Sequence, residues 1–174
     1  MNEKEVIQRL ARDRDHIQRY EVMVPNCYTT HDNEADFFGI RKSGFCDEFE
    51  VKVTRSDFRA DAKKRVWYRE STPDDWGWKQ KGMEFAPYTK PKHEALACGE
   101  TSINYFWYAV IEGVCEVEEV PEFAGLILIR EKGPFRVLKS PVRLHSRKLS
   151  MEERYQYARK NGYRFWKLFL EEAA

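Results

Sequence analysis

NEADFFGIRKSGFCDEFEVKVTRSDFRAD, residues 33–61, is the stretch whose reading decides the fold. It reads as a strand, a tight turn, a second strand and the start of a helix. In the second strand Phe45, Phe49, Val51 and Val53 fall largely on one face, and Cys46, Glu48, Glu50 and Lys52 on the other, because successive side chains of a strand alternate. Lys42-Ser43-Gly44 has the form of a three-residue hairpin loop with Gly44 in the left-handed position. If Arg41 faces Phe45, counting back along both strands sets Asp36 opposite Glu50. Two carboxylates so opposed repel unless a positive charge lies between them. A divalent cation with Lys52 beside it resolves that conflict. Solvated charges on an exposed sheet face, neutralised by Lys52, account for the spacing equally well.

The words around the triplet decide between these. Asp36, thirteen residues, then Glu50-Val51-Lys52 resembles the signature of the PD-(D/E)XK nuclease superfamily. EVKVTRSDFRAD with the lysines after it resembles the MmcB-like DNA-repair branch and related phage proteins. KPKHEAL at 90–96, INYFWYAV at 103–110 and EVPEFAGLILI at 119–129 are similar to the latter half of those phage proteins. The likeness spans about residues 34 to 145. It implies a restriction-endonuclease-like α/β domain, a mixed central sheet flanked by helices, and a Mg²⁺-dependent (or Mn²⁺-dependent) nuclease acting on DNA in phage or bacterial DNA processing or repair. It also implies roles. Asp36, Glu50 and the carbonyl of Val51 hold metal, Lys52 is the catalytic cation, and Ser56, Asp57 and His93 are supporting candidates. Glu5 or Glu3 on the first helix could supply a further acid by analogy. The competing reading is a nuclease-like fold used for binding, as a recruitment module or a phage-encoded inhibitor.

The remaining chain sets bounds. At 174 residues it is read as one domain over 1–174, with an irregular insertion at about 66–100. A hydrophobic content of 42% with 14% aromatic excludes a disordered chain despite 34% charged residues. The net charge of +1 gives no global basic signature, so DNA contact must come from local patches. Arg55, Arg59, Lys63, Lys64, Lys90 and Lys92 form such candidates. No apolar signal segment and no membrane-length apolar run is present, which points to a cytoplasmic protein without a membrane partner, and the resemblance implies a bacterium or a phage-infected cell. Cys27, Cys46, Cys98 and Cys115 form no CxxC pair and read as free thiols.

In order along the chain, the spacing predicts a helix over Asn2–Arg19 and a strand over Tyr20–Thr30 interrupted at Pro25. His31 and Asp32 lie near enough in sequence to reach a metal at Asp36, or belong to a turn. Thr54 or Ser56 is placed to cap the helix after the Glu-x-Lys strand, whose free N–H groups would lie near a phosphate. Trp67, Tyr68, Trp76, Trp78, Phe85 and Tyr88 among lysines suit single-stranded or branched DNA, or else form a satellite core. Tyr105–Ile111 reads as a buried strand parallel to the Glu-x-Lys strand, and Gly125–Arg130 and Phe135–Leu144 as a hairpin. Residues 113–123 form an acidic connection that duplex phosphates should avoid. Ser150 to Glu153 is a capping box for a last helix that Asn161-Gly162 breaks, and its final apolar face is core or a homodimer contact.

Overall fold

The hairpin forms as its spacing predicts. In the computed structural model, which describes residues 1–29, 34–68 and 88–172, β2 (Glu34–Arg41) and β3 (Cys46–Lys52) pair antiparallel with Phe37 opposite Phe49 and Phe38 opposite Glu48. Arg41 N–H donates to the Phe45 carbonyl at 2.7 Å, and Gly44 closes the turn at φ 87°. The same register, continued by one residue, sets Asp36 against Glu50.

Around this hairpin a six-stranded mixed sheet is built, with β1 (Tyr20–Tyr28) paired antiparallel to β2 on one side. On the other side β6 (Tyr105–Ile111) runs parallel to β3, β7 (Gly125–Ile129) parallel to β6, and β8 (Arg136–Lys139) antiparallel to β7. A separate two-stranded ribbon pairs β4 (Arg65–Tyr68) with β5 (Tyr88–Pro91). The architecture is α/β, a mixed sheet flanked by helices.

Each sheet face has its own cover. On one, Phe37, Phe49, Val51, Trp107 and Ile127 pack under Val6 and Leu10 of α1 (Glu3–Arg12). On the other, Phe38, Cys46, Phe106, Tyr108 and Leu126 meet Phe58 of α3 (Arg55–Asp61), Leu96 of α4 (Lys92–Ala97) and Tyr157 of α5 (Met151–Glu172). A strand covered on both faces must bury its charges with its apolar residues, and all seven positions of β3 are buried.

Several boundaries differ from the sequence expectation. The first helix stops at Arg12 and a short α2 (Arg14–Ile17) follows. Pro25 does not interrupt β1, because β1 is an edge strand and its residue 25 still lies opposite Phe37. Strand structure after Phe135 is limited to Arg136–Lys139. Asn161-Gly162 does not break α5: the Asn161 side chain donates to the Met23 carbonyl at 2.6 Å, anchoring the helix to β1 at the point where it was expected to end. Cys27, Cys46, Cys98 and Cys115 are free thiols.

Candidate active site

Glu50 lies at the carboxyl end of β3, on the face shared with Glu48, Lys52 and Tyr108, and is fully buried. The reading of these residues as a solvated, exposed face is therefore incorrect: helices α3 and α4 cover them. Glu50 Oε2 accepts from Lys52 Nζ at 2.9 Å and from Lys64 Nζ at 2.7 Å, and Oε1 accepts from Lys92 Nζ. Lys92 also reaches Glu48 at 2.7 Å. Burial pushes the Glu50 carboxyl up, but Lys92 first, then Lys52 and Lys64, outweigh it and hold the group below its ordinary range despite the opposing charge of Asp61. Burial likewise opposes the charge on Lys52 and Lys92, and their carboxylate partners raise both above the ordinary lysine value. These are charged lysines in a nearly dry network.

Asp61, at the end of α3, is the second hub. Its Oδ2 accepts from the Tyr108 hydroxyl at 2.6 Å and lies 3.4 Å from His93 Nε2. Its Oδ1 is buried and aligned for no hydrogen bond, although the ammoniums of Lys64 and Lys52 stand 3.0 and 3.3 Å away. Burial raises the Asp61 carboxyl, and the His93 contact followed by Lys92, Lys52 and Lys64 reverses that effect and depresses it strongly. His93 is 2.8 Å from the Tyr108 hydroxyl, so α4 sets it beside Asp61 and Tyr108.

Asp36 differs from both. Its Oδ2 accepts from the Val51 backbone N–H at 2.7 Å, which fixes the carboxylate across the strand pair from Glu50. Burial, then the charge of Glu50, raises it to about 7, against the Val51 N–H and Lys52. Asp36 is thus raised where Glu50 and Asp61 are depressed.

The other sequence candidates divide. Thr54 caps α3 by accepting from the Asp57 N–H at 3.1 Å, while Ser56 lies 3.1 Å from the Thr54 hydroxyl and stays outside the network. Asp57 is half exposed at the rim, 3.9 Å from Lys52. Glu5 is not a site residue: it is exposed and reciprocates the Asn2 cap of α1, accepting from Asn2 N–H at 2.8 Å. Glu3 is the glutamate of this helix whose charge acts on Asp36.

The basic patch also changes. Lys92, 1% exposed, cannot touch a phosphate, because Glu48 and Glu50 fix it in the interior. Arg55 and Arg59 lie 2.9 and 3.8 Å from Glu119, so the acidic connection folds onto this patch instead of marking a separate edge. Lys90 is paired with Glu94 and Glu100. Lys63 is exposed, and Lys64 is 40% exposed. His31, Asp32, Trp76, Trp78 and Phe85, and the side chains of Trp67, Tyr68 and Tyr88, lie outside the described residues. Sequence reasoning missed Lys64 and Lys92 as partners of Glu50 and did not place Tyr108 in the site. Lysine spacing gives no warning of burial, although the aromatic run holding Tyr108 was already expected to be internal.

Among the described residues no group of three or more His, Cys, Asp and Glu is placed to hold a metal ion. Carboxylate oxygens are the donors that Mg²⁺ takes, one or two of them with water and phosphate oxygens completing the shell. Asp36 accepts from the Val51 N–H through one oxygen, and both Glu50 oxygens accept from ammoniums, so a cation would reach Glu50 only by displacing a lysine. The arrangement does not fit a closed protein cage.

Among the described residues no helix is long and apolar enough to cross a membrane. No protein-family model matches the chain, and no curated protein matches it. In fold the chain is similar to the SPO1766 protein of unknown function from Silicibacter pomeroyi, at 18% sequence identity and a TM-score of 0.57, covering 96% of this chain and 92% of that one.

Proposed function

We propose that this protein is a divalent-metal-dependent nuclease acting on DNA, in phage or bacterial DNA processing or repair. The observation that carries the reading is the pair of Asp36 and Glu50 carried by neighbouring strands of the hairpin, with Lys52 beside Glu50 and with Asp36 raised to about 7 by burial and then by the charge of Glu50. The family likeness of the same three residues supports it.

Asp36, Glu50 and the Val51 carbonyl would hold Mg²⁺. When bound, the ion supplies Lewis acidity toward a phosphoryl oxygen and makes a water more acidic. The protein's own groups do the rest. The Val51 N–H orients Asp36, and Glu50 with Asp61 keeps Lys52 protonated and fixed. Lys52 is nearly as buried as Lys92, so it would act by fixing Glu50 and by placing a preorganised positive charge behind the carboxylate, not by touching the phosphate. Lys64 has to leave Glu50 Oε2 to give access, and it is the most exposed of the three lysines on this carboxylate.

A second reading, a binding module of nuclease-like fold without turnover, is favoured by one observation: both Glu50 oxygens already have ammonium partners. The deciding experiment offers labelled single-stranded, duplex, flapped and nicked DNA to the wild type and Glu50→Ala with Mg²⁺, Mn²⁺ or EDTA. The nuclease reading expects cleavage that needs metal and is lost by at least a hundredfold in the variant. DNA binding shared by both proteins, with no cutting and no metal-dependent thermal shift, assigns the chain to the second reading.

A further inference from the structure

The C-terminal helix carries a surface that the site does not use. In α5 (Met151–Glu172), Tyr157 is buried, Lys160 donates to the Tyr28 carbonyl at 2.7 Å, Asn161 to Met23, and Arg164 to Pro25 and Asn26. At 100° per residue these four side chains share one face, which lies along β1 and occupies carbonyls of that edge strand. The opposite face holds Tyr155, Arg159, Gly162, Trp166 and Phe169, with Tyr163 and Leu170 at its margins. Their successive spacings of 4, 3, 4 and 3 residues are those of a coiled-coil seam.

This seam has no cover among the described residues. Tyr155 is 62% exposed, Tyr163 66%, Trp166 58%, Phe169 53% and Leu170 64%. Each leaves about 100 Å² of ring or aliphatic surface in water, since a large aromatic side chain carries roughly 150–250 Å². Together they make about 500 Å², the size of the largest apolar patch on a typical monomer, which is often functional.

We propose that this face binds the same face of a second copy of the chain in an antiparallel, two-fold helix pair. The sequence of the seam is complementary to itself when reversed. Setting Gly162 against Tyr163 of the other copy brings Arg159 over Trp166 and Tyr155 against Leu170, and a two-fold axis repeats every contact. Gly162 sits where the helices cross, and a Cβ built there meets nothing within 4 Å, so the close approach falls where there is room for a partner ring. Arg159 already lies 5.9 Å from the Tyr163 ring centroid of its own helix, a cation disposed toward aromatic faces. Counted on both copies, the apolar seam and its margins bury about 1,000 Å², the size that a specific interface has to reach. β1 stays covered by its own helix, so the pair forms without competing for the sheet.

Sedimentation velocity of the full chain across a concentration series tests this. The expected result is a species of twice the 20.8 kDa chain mass, reduced to one chain mass by Trp166→Glu and by Leu170→Asp, with unchanged circular dichroism because both side chains are exposed. Orientation is read from engineered cysteines under oxidising exchange: Gly162→Cys should cross-link between chains, and Glu171→Cys, held apart in an antiparallel pair, should not. A wild type that sediments as one chain throughout overturns the proposal and leaves the face to a different partner. A dimer that survives both charge substitutions, or that cross-links through Glu171→Cys, overturns it as well.

Discussion

His16 stands within a ring of aromatic side chains, with centroids 5.2 Å from Tyr20, 5.3 Å from Phe49, 5.4 Å from Phe135 and 6.3 Å from Phe37. Its Nε2 is buried without a hydrogen-bond partner. Burial first, then the charge of Arg19, lowers its pKa from 6.5 to about 4. The folded state therefore holds His16 neutral while the unfolded chain takes up a proton between those values. Its contribution to stability is complete above pH 6.5 and is lost as the pH falls toward 4, at most about 3 kcal/mol. His16→Phe should flatten that limb of the curve, and thermal melts of both proteins at pH 7 and at about pH 4.5 check it. Equal losses on acidification would exclude His16 as the source. Nothing in the charged segment around residue 16 announces this environment, because the rings come from three other parts of the chain. Asp36 and Glu50 were legible for the opposite reason: their relation depends on one hairpin and its register.

Within that hairpin, the loop is the element most completely determined by local chemistry. Gly44 adopts φ 87°, and a Cβ there would run into the Arg154 guanidinium and come within 3.3 Å of Lys148 Cβ. Gly44→Ala should cost about 1–2 kcal/mol, the penalty of left-handed backbone for an L-residue. Urea unfolding checks this, as a lower midpoint with an unchanged slope. The elements that were misread fail for tertiary reasons. Pro25 reads locally as an interruption, yet an edge position makes its missing N–H harmless. Asn161-Gly162 reads locally as a break, yet the Asn161 contact with β1 outweighs the low helix propensity of the pair. Phe135–Leu144 was given too long a strand, since its alternation continues after the ladder with β7 has ended.

At the scale of the whole molecule, the ion network joins segments that local reading treats separately. Lys92 is one such long link, held by Glu48 and Glu50 across more than forty residues of chain. Lys92→Met leaves two buried carboxylates facing each other and should destabilise the fold by about 3–5 kcal/mol, the usual cost of removing one member of a buried pair. Chemical denaturation measures it, and a loss below 1 kcal/mol would mean that water reaches the pair. Patterning predicted the sheet, because period-two and apolar-run signals are local. It could not predict which lysines turn inward, because burial is decided by packing between distant elements. Because Glu48 and Glu50 are both buried against Lys92, this face of the sheet is sealed only while α4 is docked, and any motion that lifts α4 uncovers the two carboxylates together.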